Sequence, residues 1–134
     1  MNNSLSSILH AAHEALFTNN NVEAIGDFFA PDYVAHLTDD AVVKGHDSIR
    51  KVLERRSCAF HEMEYELEIL VEDEHRVAWQ RTLRATHAGN FKGFPASGRP
   101  IVWRDMVVSQ FRDGLISEDW VITDLAERLM LART

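Results

Sequence analysis

The chain has 134 residues, of which 46% are hydrophobic and 26% charged, with a formal net charge of -7. That length suits one domain over residues 1–134, able to bury about two thirds of the surface that the unfolded chain exposes, and the composition is ordinary for a water-soluble globular protein. The negative balance excludes a protein whose affinity rests on phosphate backbones, since those contacts need a basic surface, and it opposes docking on an anionic membrane.

The lone cysteine, Cys58, has no internal disulfide partner, which is compatible with a reducing compartment. No basic stretch leading into an apolar one opens the sequence, and no apolar run nears the ~20 residues of a membrane span. A cytoplasmic location is the resulting expectation.

A first helix is predicted over residues 4–18, where Leu5, Ile8, Leu9, Ala12 and Leu16 recur at helical spacing. Asn19, Asn20 and Asn21 supply a stop and a new cap. A second helix over residues 22–29 buries Ile25, Phe28 and Phe29, and Pro31 ends it. Residues 32–37 are short and extended, Asp39-Asp40 makes a turn, and Asp47 caps a third helix whose stripe is Ile49, Val52 and Leu53.

From Glu62 the period changes to alternation, with Met63, Tyr65, Leu67, Ile69 and Val71 on one face and glutamates on the other. That pattern marks a strand with one wet side. The next strand, residues 76–87, places Val77, Trp79, Arg81, Leu83, Ala85 and His87 together. Residues 88–100 hold three glycines and two prolines, so a loop is expected there, able to close over a cavity.

The most informative stretch is residues 98–124. Two runs rich in Val, Ile, Phe and Trp flank Asp113-Gly114, a dipeptide suited to a two-residue hairpin turn with positive φ. In the first run Trp103, Asp105, Val107, Ser109 and Phe111 share a face, so one carboxylate stands in a mainly apolar row. A buried carboxylate must be paired, hydrogen-bonded or shifted toward its neutral form. Asp124 with Glu127 reads as a capping box for a last helix through Leu129 and Leu131.

Helices followed by a long antiparallel meander describe an α+β domain in which a curved sheet wraps onto helices and leaves a cavity. Asp105, His87 and Arg81 are expected at its wall. Metal binding fails on spacing: His10 and His13 share a helix face without a third ligand, and His61-Glu62 lacks a second histidine.

Several strings resemble the SnoaL-like polyketide cyclases, or ester cyclases, of the nuclear-transport-factor-2-like (NTF2-like) superfamily. They are residues 30–34 with His36, residues 76–78, residues 86–91 with Gly93 and Pro95, residues 97–100 and residues 111–120. The resemblance spans most of the chain. It implies a cone-shaped α+β barrel, N-terminal helices packed on a curved, mostly antiparallel sheet, with no cofactor or metal, and a homodimer.

It also implies intramolecular aldol closure of a polyketide ester, with the aspartate matching Asp105 as base and the histidine matching His87 beside it. Two positions differ from the family pattern: Arg81 replaces an apolar or aromatic residue, and Asp119 stands where histidine is frequent.

Asp105 is thus the candidate general base, against the plainer alternative of an ion pair with Arg81 or Arg104. His87 is the second catalytic candidate, able to donate to an enolate or shuttle a proton; the alternative is a strand-end histidine bonded to loop backbone. Arg81 would neutralise an oxyanion or grip a carboxylate. His36 is placed at the cavity mouth, and Trp79, Trp103 and Trp120 shape an apolar pocket.

The expected activity is cofactor-independent acid/base chemistry on a small hydrophobic carbonyl or polyketide-like ligand, as a cyclase, isomerase or dehydratase. The rival is a non-catalytic NTF2-like module that binds a small ligand or dimerises. A ketosteroid-isomerase-like variant would use Asp39 or Asp40 as base. The face carrying Val102, Met106 and Val108 suits a second copy.

Overall fold

The computed structural model describes residues 4–132. Helix α1 (Leu5–His13) is capped by Ser4, whose hydroxyl accepts from the Ser7 amide, and it continues as a π-helical turn, Glu14–Thr18. A 3-10 turn, Val22–Ala24, leads into α2 (Ile25–Phe28). Next come β1 (Phe29–His36), β2 (Val42–Lys44), α3 (Gly45–Ala59) and β3 (Phe60–Glu72). Strands β4 (Arg76–His87), β5 (Pro100–Arg112) and β6 (Leu115–Thr123) follow, then α4 (Leu125–Leu131).

The six strands form one sheet in the order β2-β1-β6-β5-β4-β3, antiparallel throughout except that β1 runs parallel to β6. The α+β architecture is as expected. The barrel is not closed, because β2 and β3 are the edges of the sheet. Register shifts interrupt the β3–β4, β5–β6 and β1–β6 ladders, and such bulges increase local twist and bend the strands.

The predicted hairpin turn is present: Arg112 faces Leu115, and Asp113 and Gly114 have φ of 54° and 77°. Burial alternates along β5, which puts Trp103, Asp105, Val107, Ser109 and Phe111 inside.

Three local expectations are corrected. Pro31 lies within β1 rather than ending a helix, at the register shift against β6 between Phe29 and Val34, where a residue without an N–H breaks no ladder bond. Helix α3 begins two residues before Asp47; Asp47 sits in the first turn and pairs with Arg50. Asp124 flanks α4 without a side-chain cap bond, because its carboxylate accepts instead from the Arg104 amide at 2.8 Å and from Arg128 Nε at 3.1 Å.

Two apolar clusters fill the inside. The larger joins α1, α2 and α3 to the sheet through Leu9, Leu16, Ile25, Phe29, Leu53, Trp79 and Phe111. The smaller lies under α4 around Phe60, Leu83, Trp103, Leu125 and Leu129. No helix among the described residues is long and apolar enough to cross a membrane.

Candidate functional site

A cavity of about 440 Å³ lies between the helices and the inner face of the sheet. Its wall is mostly apolar, with two polar regions. Strand alternation aims Trp79 and Arg81 of β4 and Trp103, Asp105, Val107 and Ser109 of β5 at it, while β6 contributes Asp119, Val121 and Thr123. Helix α1 supplies Leu9, Ala12 and His13, and α3 supplies Ile49 and Arg56.

The first polar region is built on Asp105, 1% exposed. Arg81 faces it across the β4–β5 ladder and donates to its Oδ2 from Nε at 3.1 Å and from Nη2 at 2.5 Å. Arg56 reaches the same oxygen with Nη2 at 3.5 Å. Both guanidinium carbons lie 4.9 Å from the centre of the Phe17 ring, and that of Arg81 is 5.2 Å from the Trp79 ring, so π faces fix the cations in place.

Burial pushes the Asp105 carboxyl up. The charges of Arg81 and Arg56, together with hydrogen bonding, outweigh that and hold it below the usual carboxylate range. Burial and the Arg81 charge lower the Arg56 guanidinium to about 10. His13, packed among Phe17, Tyr65 and Trp79, is brought down to about 2 by burial and by both arginines, so its ring is neutral. Thr123 and Tyr65 have hydroxyls that interact with Asp105 and Arg56 respectively, yet Asp105 Oδ1, Arg56 Nη1 and His13 Nε2 are buried without a partner in hydrogen-bond geometry.

The second polar region is a chain of hydrogen bonds. Trp79 Nε1 donates to Ser109 Oγ at 3.0 Å, Ser109 donates to Asp119 Oδ1 at 2.5 Å, and the Tyr33 hydroxyl donates to Asp119 Oδ2 at 2.5 Å. Burial raises the Asp119 carboxyl above its ordinary value although both donors oppose the shift. Burial and the neighbouring carboxylate drive the Tyr33 phenol well up, so it stays a donor. Ser109 faces Asp119 and Asp105 faces Thr123, which separates the two carboxylates by roughly 13 Å along the strands.

Of the residues singled out from sequence, Asp105, Arg81, Trp79 and Trp103 meet at the cavity wall. His87 does not. It lies six residues beyond Arg81 on β4, about 20 Å away at ~3.3 Å per residue, and is absent from the lining. Its ring stacks on Phe60 at 5.4 Å, its amide donates to the Arg99 carbonyl and its carbonyl accepts from the Gly98 amide. The expectation that it stands beside Asp105 is corrected, because the β4–β5 ladder sets Arg81 opposite Asp105 and carries His87 past the Thr86–Pro100 pair at its far end.

His36 and Trp120 lie on the opposite face of the sheet, since Ala35 and Asp119 next to them take the inner one. His36 stacks on Trp120 at 5.3 Å and meets Glu118 at 2.6 Å. Neither lines the cavity. Asp39 does line it but is exposed; Asp40 does not reach it.

Four cavity residues were not assigned to the site from sequence: Arg56, His13, Asp119 and Tyr33. Arg56 lies three residues after Leu53 and seven after Ile49, on the buried stripe of its helix, and that spacing was the available signal. His13 follows Leu9 by four in the same way. Asp119 and Tyr33 gave no such periodic signal, because a bulge at Ser117 breaks the alternation of β6 between Ile116 and the inward residues Asp119, Val121 and Thr123. Among the described residues no group of three or more His, Cys, Asp and Glu side chains converges as a metal ligand set.

A model of the SnoaL-like polyketide cyclase family matches residues 7–130. The chain belongs to that family. Among solved structures, IdmH of Streptomyces antibioticus, described as a candidate polyketide cyclase, is 26% identical to this SnoaL-like chain; the match covers 98% of this chain and 100% of that one, with a TM-score of 0.84. AclR of Streptomyces galilaeus, described as a candidate hydroxylase, is 27% identical over 97% of this chain and 85% of its own, with a TM-score of 0.77.

A candidate polyketide cyclase of Acidithiobacillus ferrooxidans, 22% identical over 99% and 96% of the two chains, has a TM-score of 0.82 and shows the shared NTF2-like fold alone. No curated protein matches this SnoaL-like chain.

Proposed function

We propose that this SnoaL-like chain is a cofactor-independent acid/base enzyme that acts on a hydrophobic carbonyl compound enclosed in the cavity, with ring closure by intramolecular aldol condensation as the favoured reaction. The observation that carries the proposal is the ionised Asp105 carboxylate at the wall of a mostly apolar cavity, with two guanidinium groups beside it.

In this reaction Asp105 takes the proton α to a carbonyl, the enolate carbon attacks a second carbonyl within the same molecule, and the alkoxide formed takes a proton back. Protons balance. Arg81 and Arg56 lower the basicity of Asp105 but stand where negative charge develops on the enolate oxygen, and fixed cations in a water-poor site favour that charge. Isomerisation or dehydration would use the same enolate.

The test is Asp105→Asn, which keeps an acceptor oxygen toward Arg81. Turnover of a verified substrate is expected to fall by about 10²–10⁴ with ligand affinity changed far less. Full activity in the variant overturns the role of Asp105.

One observation favours a second reading, a non-catalytic ligand-binding module: Oδ2 of Asp105 is already engaged by Arg81 and Arg56. That reading predicts thermal stabilisation by a ligand that is recovered chemically unchanged.

We also propose a homodimer through the outer face of the sheet. Val102, Met106, Trp120 and Ile122 are exposed there, an apolar group of the kind that marks an interface. Sedimentation of wild type against Met106→Glu tests it, with a dimer and a monomer expected; a monomeric wild type sinks it.

A further inference from the structure

We infer that the arginine end of the cavity is a carboxylate-binding subsite, so that the ligand is a hydrophobic acid whose anionic oxygens lie against Arg56 and Arg81 while its carbon chain occupies the apolar remainder. The inference rests on the proposal that the cavity takes the ligand, and it names what that ligand must carry.

Charge is the first argument. Arg56 and Arg81 face one carboxylate, Asp105, and His13 beside them is neutral, which leaves one positive charge over in a buried setting. Uncompensated charge away from water is costly, and Asp119, the other buried acid of the wall, lies roughly 13 Å along the strands from Asp105 and feels the Arg81 charge only as the smallest of the influences on it. A ligand carboxylate would supply the missing charge.

Hydrogen bonding is the second. The Tyr65 hydroxyl interacts with the Arg56 guanidinium, but Arg56 Nη1 itself is buried without an acceptor in hydrogen-bond geometry, and Nε2 of His13, a residue only 6% exposed, likewise has no partner. An uncharged ring nitrogen can carry a hydrogen and donate it. A carboxylate has the lone pairs to satisfy both, whereas Arg81 spends Nε and Nη2 on Asp105. The shared Phe17 ring keeps the two guanidinium groups in place before the ligand arrives, so little ordering remains to be done on binding.

The mouth is the third. The chain carries -7 overall, yet Arg55 and Lys92, both exposed, line the cavity, and they join Lys51 in an adjoining depression between α3 and the 88–99 loop. Glu54 and Asp39 are the acidic groups nearby. A local positive rim on an acidic protein raises the concentration of anions at the entrance.

The experiment titrates the intact protein with octanoate, octan-1-ol and octylammonium by calorimetry. Octanoate is expected to bind at least about tenfold tighter than octanol, the worth of one charge-assisted hydrogen bond, and octylammonium more weakly than either. In Arg56→Gln the octanoate preference over octanol is expected to fall several-fold, octanol losing far less because a hydroxyl accepts as well from the glutamine amide. Arg56→Lys is expected to retain most of the preference.

Should Arg56→Gln fail to fold, the order of the three probes on the wild type decides alone. Equal affinity for octanoate and octanol overturns the carboxylate subsite and leaves the cavity as a ligand site. Absence of binding by all three overturns both.

Discussion

Arg81 lies directly opposite Asp105 in the β4–β5 ladder, and both its Nε and its Nη2 donate to a single oxygen, Oδ2. With Arg81 at 5% and Asp105 at 1% exposure, Asp105 is the carboxylate that compensates the buried Arg81 charge, and Arg56 at 3.5 Å is the weaker second cation on the same oxygen. Removing one partner of such a pair strands the other and costs about 3–5 kcal/mol. Arg81→Met is therefore expected to destabilise the fold on that scale, and Arg81→Met with Asp105→Leu to cost less than the sum of the single changes. Urea unfolding of the three variants measures the coupling, expected at about 1–3 kcal/mol; additive effects would show that the pair is not a unit.

His13 makes the acid limb of stability. Burial and then the charges of Arg81 and Arg56 bring its pKa down from 6.5 to about 2 in the folded protein. A group with a depressed folded pKa binds fewer protons folded than unfolded. Its contribution is present above the unfolded value and is lost as pH falls, by about 1.4 kcal/mol per pH unit below 6.5. His13→Phe keeps the ring contacts and removes the titration. Urea midpoints between pH 7 and pH 5 are expected to fall steeply in the wild type and to stay flatter in the variant; parallel curves would show that His13 does not titrate in this way.

How far the sequence speaks follows from the strength of the pattern at each place. The β5–β6 hairpin was legible because alternation and the Asp113-Gly114 turn agree; the inward row of β5, with its one carboxylate, followed at once. The arginine partner of Asp105 was one of two alternatives; alternation along β5 turns Arg104 to the outer face, and the register of β4 against β5 sets Arg81 opposite Asp105. That register is set by turns and bulges that leave little trace in composition.

His87 misled because sharing a face with Arg81 says nothing about distance along a strand. Arg56 and His13 stayed hidden because a charged or polar residue on a helical stripe reads as a flaw in the stripe until a cavity is seen beneath it.

Asp119 should behave oppositely to Asp105. Burial raises its carboxyl in the folded protein, so the folded state binds more protons than the unfolded state between the ordinary carboxylate value of 3.8 and its folded pKa. The penalty of holding it ionised is full above that folded pKa and is relieved as pH falls through the window. Asp119→Asn removes the charge and keeps one acceptor oxygen, while its amide NH2 can donate to the other hydroxyl oxygen, so that Tyr33 and Ser109 both retain a partner. Its stability at neutral pH is expected to equal or exceed that of the wild type. Asp119→Ala leaves both hydroxyls without an acceptor and is expected to lose about 2–3 kcal/mol. Thermal unfolding at pH 7 distinguishes them; equal losses in both variants would mean that the carboxylate charge itself is needed for folding.

Gly89, two residues past the end of β4, packs the loop that borders the cavity against the last residues of α3. A methyl group there would stand 2.4 Å from the Cys58 carbonyl oxygen and 3.3 Å from the Ala59 Cα, both main-chain atoms that cannot turn aside as a side chain could. The Gly89 and Ala88 amides also donate to the Ala59 carbonyl, at 3.0 and 2.8 Å, so moving the loop away breaks two hydrogen bonds. Gly89→Ala is expected to cost about 1–3 kcal/mol and to displace Phe91 and Lys92 from the cavity edge, weakening ligand binding as well. Gly93, four residues on, has a φ of +87° and open space where a Cβ would go. Asparagine tolerates left-handed backbone, so Gly93→Asn is expected to cost less than about 1 kcal/mol. Melting temperatures of the two variants side by side separate a steric requirement from a conformational one, and a Gly89→Ala protein as stable as the wild type would show that the loop can pack against α3 in another way.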